Sequence, residues 1–253
     1  FLAGCTQPGQ PTQPPTLAAG TAADPSVTAP APPVLSDFGA LFPQGATLEL
    51  LFDNVGFTEG PLWLADGRLI FSRMSDNVVA VVGTDGSLSD FLNPSNGANG
   101  HAFDWSGNIL QAEHAGRVTR LEANGTVTVL AETFEGKRLN SPNDLVVRSD
   151  GTIYFTDPTF GLNGRESEIG FQGVYRLDPV TQSLTAIIRD LPMPNGIGLS
   201  PDESTLYVSD TTLGQVFAFA LNGDGSVGER RAIGSGIDGL LVDSDGRIWS
   251  SAP

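Results

Sequence analysis

From residue 59 onward the chain repeats one arrangement of polar and apolar positions, and the repeat predicts its secondary structure before any single residue is considered. Five copies begin at Glu59-Gly60-Pro61-Leu62-Trp63, Asn99-Gly100-His101-Ala102-Phe103, Asn143-Asp144-Leu145-Val146-Val147, Asn195-Gly196-Ile197-Gly198-Leu199 and Asp238-Gly239-Leu240-Leu241-Val242. Their starts lie 40, 44, 52 and 43 residues apart, the length of one four-stranded propeller blade. Eight residues after a start comes a turn glycine (Gly67, Gly107, Gly151, Gly246), replaced in the fourth copy by Pro201-Asp202-Glu203-Ser204. The turn leads into an apolar run, at 68–72, 108–112, 152–156, 205–209 and 247–251, and a third strand is expected at 78–82, 118–121, 173–177 and 216–221. Ahead of the first copy, Thr47 to Phe52 reads as an apolar strand without a partner in its own repeat, suited to closing the ring.

Composition agrees with an all-β chain. There are 31 Gly and 18 Pro among 253 residues and only 17% charged residues, a turn-rich make-up. A formal net charge of -16 leaves no basic stripe to displace counterions from phosphates, so a nucleic-acid partner is not expected. A monomer acting on a small molecule fits better.

The first residues read differently from the rest. Phe1-Leu2-Ala3-Gly4-Cys5 looks like the end of a bacterial lipobox, with 1–4 the remnant of a signal peptide and Cys5, the single cysteine, the acylated residue. Residues 5–36, rich in Pro, Thr, Gln, Ala and Gly, have too little apolar surface to fold and would serve as a tether for a propeller domain at 37–253. Acyl chains would hold the protein to the periplasmic face of a Gram-negative outer membrane, and no later stretch is apolar for the length of a span.

Candidate chemistry lies in the first position of each copy. Strand heads converge on a propeller's axis, so Glu59, Asn99, Asn143, Asn195 and Asp238 would ring one mouth of the channel. Hard oxygen donors of this kind suit Ca²⁺, Mg²⁺ or Mn²⁺, with Zn²⁺ less natural. Asn and Asp before glycine are also ordinary turn residues, whereas Glu59 has no such preference.

Several blocks carry a resemblance: Glu-Gly-Pro-Leu-Trp at 59–63, Leu-Asn-Ser-Pro-Asn-Asp at 139–144, Tyr-Phe-Thr-Asp-Pro at 154–158, Pro-Asn-Gly-Ile at 194–197, Ser-Pro-Asp-Glu at 200–203, Leu-Tyr-Val-Ser-Asp at 206–210 and Asp-Gly at 238–239. In this order they resemble the gluconolactonase, senescence-marker-protein and luciferin-regenerating-enzyme family over nearly all of 47–253. The resemblance implies a six-bladed β-propeller, of which about four and a half blades are present, and hydrolysis of a sugar lactone. It implies one divalent metal ion, Ca²⁺ first, held by Glu59, Asn195 and Asp238, with Asn143 near metal and substrate. Bacterial members share the Glu113-His114 segment. Arg73 departs from the family's usual acidic residue, and Ser141 stands where animal members carry a substrate-contacting Arg.

A lactone needs a stabilised oxyanion and a deprotonated water, and Asp238, a carboxylate beside the cation, is the expected general base. Asn143, and more weakly Asn99, would hold sugar hydroxyls. The two histidines, His101 and His114, could move a proton at neutral pH, but a histidine satisfied by its neighbours is commoner, and neither enters the catalytic set. Gly223-Asp224-Gly225-Ser226-Val227-Gly228 matches G-x-G-x-x-G without a following helix pattern and reads as a hairpin loop. Serine-hydrolase, zincin and P-loop signatures are absent from the sequence. The rival reading is a non-enzymatic propeller that binds sugar or an envelope protein, or else a lactonase or esterase for other substrates. The last copy stops after its second strand, so residues 1–253 alone are expected to be poorly soluble and inactive.

Overall fold

The computed structural model describes residues 41–42, 45–47 and 49–251. Cys5, the signal remnant expected at 1–4 and the tether expected at 5–36 therefore lie outside the described residues. Backbone contacts divide the chain into one unit ending at Asp53 and another starting at Asn54. In the first, residues 47 and 49–52 form no strand, contrary to the expectation at Thr47–Phe52. Leu50 and Leu51 are 78% and 53% exposed, and a short apolar segment with neither a ladder partner nor burial has nothing to offset the entropy of holding it extended.

From Asn54 on, the chain is a succession of antiparallel meanders. The first sheet is β1 (Thr58–Trp63), β2 (Leu69–Arg73), β3 (Val78–Val82) and β4 (Leu88–Leu92), in that spatial order. The second is β5 (Ala98–Phe103), β6 (Ile109–Glu113), β7 (Arg117–Leu121) and β8 (Val127–Ala131). A small ribbon, β9 (Thr133–Phe134) with β10 (Lys137–Arg138), precedes the third sheet of β11 (Leu145–Val147), β12 (Ile153–Asp157), β13 (Gly173–Leu177) and β14 (Leu184–Ile188). The fourth sheet is β15 (Pro194–Leu199), β16 (Thr205–Asp210), β17 (Gln215–Leu221) and β18 (Val227–Ser235), and the fifth pairs β19 (Leu240–Val242) with β20 (Ile248–Ser250). Each four-stranded sheet is one propeller blade.

Packing explains the pattern along the chain. Second strands are covered on both faces and read as continuous apolar runs, so β6 and β12 are buried from end to end. Four apolar clusters form the core, each between successive sheets: Ile70 with Ala98, Leu110 with Phe155, Tyr154 with Leu206, and Tyr207 with Leu240. Full burial of one such side chain is worth about 2 kcal/mol, so every blade depends on its neighbour. The fourth strands are outermost; β4 and β18 are mostly exposed or half-buried, which is why their sequences lack an apolar signature.

At the end of each first strand the same turn recurs. The amides of Gly67, Gly107, Gly151 and Gly246 donate to the carbonyls of Leu64, Asp104, Arg148 and Asp243 three residues back, all four glycines having φ between 79° and 88°. Glu203 holds this place in the fourth blade at φ 56° and donates to Ser200 O. Left-handed backbone costs a non-glycine residue about 1 kcal/mol. The Glu203 carboxylate offsets that by accepting from Ser149 N (2.6 Å) and Ser149 Oγ (2.5 Å) on the preceding blade.

Candidate active site at the inner-strand heads

Three of the glycines that follow a repeat head, Gly60, Gly100 and Gly196, bring that head's strand against the next blade's inner strand. A Cβ at Gly60 would overlap the backbone of Asn99, one at Gly100 the backbone of Asn143 and Asp144, and one at Gly196 the backbone of Asp238 to Leu240. At these three junctions the inner strands of consecutive blades therefore pass at a distance that no side chain permits. The Gly100 amide donates to Asn143 O at 2.8 Å, joining the second blade to the third.

Local backbone aims the heads. In β1, β5 and β15 the pairing register slips by one residue, between Glu59 and Leu62, between Ala98 and His101, and between Pro194 and Ile197. Such bulges turn a side chain out of the sheet's alternation, here at the position that bears the oxygen. The preceding blade then fixes each head's carbonyl. Ser72 Oγ donates to Asn99 O (3.1 Å), Thr156 Oγ1 to Asn195 O (2.6 Å) and Ser209 Oγ to Asp238 O (2.6 Å). In the second blade Ala112 holds the equivalent place, and the Gly100 amide makes the link instead.

The side chains carry unbalanced charge. Burial, followed by the negative charges of Asp238 and Asp144, pushes the Glu59 carboxyl up from 4.5 to about 7. Asp144 is also pushed to about 7, chiefly by burial, although the amides of Ile197 and Leu145 stabilise its ionised form. It occupies the column that holds glycine in the other four copies, and it is the carboxylate that repeat reasoning passed over. The groups acting on Glu59 include no cationic side chain. The amide of Asn195 is oriented unambiguously. The Thr211 hydroxyl donates to Ile237 O, so its oxygen accepts from Asn195 Nδ2 (3.1 Å), and the amide oxygen faces the other way. Among the described residues no three His, Cys, Asp or Glu side chains form a metal site by themselves. An uncompensated carboxylate group plus one oriented amide oxygen is nonetheless a donor set that fits a hard divalent cation.

Asn99, Asn143 and Asn195 are all buried, while Glu59 and Asp238 are half-buried. The two histidines differ. His101 Nδ1 bonds Gly60 O at 2.7 Å and burial lowers its pKa to about 4, a residue satisfied within the core on that side. His114 Nε2 meets Asn99 Nδ2 at 3.1 Å.

A sequence profile described as the SMP-30/gluconolactonase/LRE-like region matches residues 57–253, taking in every head and every blade. The chain belongs to this family. It is 31% identical over 253 residues to a gluconolactonase from Zymomonas mobilis, an alignment covering 85% of this chain and 69% of that one. A solved gluconolactonase from Xanthomonas campestris is 38% identical with a TM-score of 0.74, covering 80% of this chain and 72% of its own. A calcium-binding regucalcin structure from Agrobacterium tumefaciens, at 23% identity and TM-score 0.60, covers 76% of this chain and 66% of its own and shows the shared fold.

Two departures from the family pattern acquire structural roles. Ser141 is fully buried; its Oγ donates to Pro158 O (2.7 Å) and accepts from Gly161 N (2.9 Å), fastening the loop after β12 rather than facing a ligand. Arg73 pairs with Asp76 across the short 3-10 turn Met74–Asp76. The acidic residues in the same column of later blades also brace loops: Asp210 accepts from Met193 N and Leu213 N (both 2.8 Å), and Asp157 from Asn140 N (2.9 Å).

Proposed function

We propose that the chain hydrolyses a sugar lactone of the gluconolactone type to its aldonic acid at the ring of inner-strand heads. Membership of the family places it among hydrolases of cyclic esters. The observation that carries the finer reading is the Glu59 carboxyl, raised to about 7 by burial and then by the negative charges of Asp238 and Asp144, with no cationic side chain acting on it. A cation would relieve that repulsion. Glu59, Asn195 and Asp238 would hold it, Ca²⁺ first, with Zn²⁺, Mn²⁺ or Mg²⁺ as alternatives. When bound, the ion supplies a Lewis acid for the ester carbonyl.

The chain's own groups do the rest. Asp238, half-buried and open to a water, takes the proton of the attacking water as general base, and returns it to the alkoxide leaving group as the ring opens. Asn143 and Asn99 accept or donate to ring hydroxyls and fix the carbonyl carbon against that water. No protein nucleophile is needed. The test is a panel of lactones assayed in a pH-stat with the full-length protein, with added Ca²⁺ and with chelator. Chelator-sensitive hydrolysis of aldonolactones is the expected result. Cation binding without turnover of any lactone would leave the binding-protein reading instead.

Acylation at Cys5, tethering the enzyme to the periplasmic face of an outer membrane, belongs to the same proposal and rests on the Leu2-Ala3-Gly4-Cys5 sequence. Among the described residues no helix is long and apolar enough to cross a membrane. Cys5→Ser is expected to move the protein into the soluble fraction, and an unchanged membrane fraction would remove the anchor.

A further inference from the structure

The contact between Asn99 and His114 is directional. An amide NH₂ can only donate, so His114 Nε2, 3.1 Å from Asn99 Nδ2, is the acceptor, and the proton of the neutral ring sits on Nδ1. Burial lowers the His114 pKa to about 4 and keeps the ring neutral. The other parts of Asn99 are also committed. Its carbonyl accepts from Ser72 Oγ and its backbone is held in the β5 bulge, so the orientation of the amide is set by His114.

His114 is in turn held in place from two sides. Its own amide donates to Gly97 O at 2.7 Å. On the other side, the loop after β12 lays the Gly161 backbone against the imidazole; a Cβ at Gly161 would overlap the Cβ, Cγ and Nδ1 of His114. Ser141 pins that loop through Gly161 N and Pro158 O. Two blades and one long loop thus converge on the rotamer of a single amide.

On the lactonase reading above, we propose that His114 is a positioning residue: by accepting from Asn99 Nδ2 it turns the Asn99 amide oxygen to the axis as an acceptor for a substrate hydroxyl. The site then favours lactones that carry a hydroxyl donor toward the second blade. Plain lactones gain nothing from it, because the benefit comes from a hydrogen bond they cannot make.

The experiment compares D-glucono-δ-lactone with δ-valerolactone, which has the same ring without hydroxyls, on the full-length protein with Ca²⁺. His114→Leu is expected to raise KM for the hydroxylated lactone about fivefold, the worth of one hydrogen bond, with kcat and the valerolactone reaction changed less than about twofold. His114→Gln, whose side-chain oxygen can accept from Asn99, restores most of the loss. Gly161→Ala, which displaces the ring, reproduces His114→Leu. Equal losses on both lactones, no loss on either, or a His114→Gln as impaired as His114→Leu overturns the proposal. ¹⁵N shifts of the imidazole give a readout independent of turnover: Nε2 unprotonated in the unsubstituted protein and altered in Asn99→Leu is expected, and a protonated Nε2 overturns it. If the unsubstituted protein opens neither lactone, the lactonase reading fails, and the ¹⁵N measurement alone decides the orientation.

Discussion

The two ends of the blades use acidic side chains in opposite ways. In the β1–β2, β3–β4, β15–β16 and β17–β18 turns, Asp66, Asp85, Asp202 and Asp224 have pKa values lowered by hydrogen bonds from Arg68, Ser87, Ser200 and Ser226, residues two positions away. On the side of the inner-strand heads, Glu59 and Asp144 are raised to about 7, first by burial and further by the negative charge of Asp238, with Asp144 also acting on Glu59. A turn carboxylate is satisfied locally and stabilises the chain reversal. An axial carboxylate has no cationic side chain acting on it, and on the proposed function a cation would compensate it. Composition alone, with 29 acidic residues, does not separate the two populations; placement in the repeat does.

The sharpest way to break that comparison is to remove charge at each end in turn. Asp238→Asn is expected to lower kcat by about 10³-fold, within the range for a lost general base, with the melting temperature almost unchanged. Asp224→Asn on the turn side should leave kcat untouched, and a comparable loss there would show that the two ends are not distinct.

Next in size is the pH dependence of stability without a cation. Glu59 and Asp144 have folded pKa values above their unfolded ones, so their contribution is fully present below about pH 4 and is lost as pH rises through about 7. His101 and His114, both lowered to about 4 by burial, act in the opposite sense between about pH 4 and 6.5, so the Glu59 share is read by comparison. Without a cation the unsubstituted protein is expected to fall progressively below Glu59→Gln in melting temperature from about pH 5 to pH 7.5. Ca²⁺ should raise the melting temperature by an amount that grows over the same interval. A scanning-fluorimetry series with chelator and with Ca²⁺ measures both, and Glu59→Gln should weaken the Ca²⁺ effect; a gap between the unsubstituted protein and Glu59→Gln that does not widen with pH would contradict the assignment.

Smaller effects belong to the turns. Asp104 accepts from Ser106 N, Asn108 N and Asn108 Nδ2, at 2.8, 2.9 and 3.0 Å, and Asp104→Ala is expected to cost about 1 kcal/mol in chemical denaturation without altering kcat. Glu203→Gly should change stability by less than about 1 kcal/mol, since relief of left-handed strain opposes the loss of its bonds to Ser149.

Much of this organisation was legible in the sequence, and the exceptions have physical causes. The first three strands of each blade alternate or run apolar because both faces are covered, and the expected β3 and β13 coincide with those observed. β8 and β14 went unread because an outer strand packs on one side only. The β9–β10 ribbon is too short, at two residues per strand, to carry any periodicity. Thr47–Phe52 is apolar enough for a strand, but pairing, not hydrophobicity, makes one. Of the site, the five heads were visible as a column. Asp144 was visible too, as the one departure from glycine in the next column. The hydroxyls of Ser72, Thr156 and Ser209 also form a column, one residue before the brace at Arg73, Asp157 and Asp210, and that recurrence was the available signal. The bulges and the Asn99–His114 contact leave no such trace, because they depend on which backbone atoms approach one another.

The hydroxyl contacts have a direction. Ser72, Thr156 and Ser209 each lie earlier in the chain than the head whose carbonyl they hold, so these three carbonyls wait on a blade that precedes them. During synthesis from the N-terminus, each new blade meets a finished neighbour already presenting its donor. The carbonyl anchors can thus be made in the order in which the blades are translated.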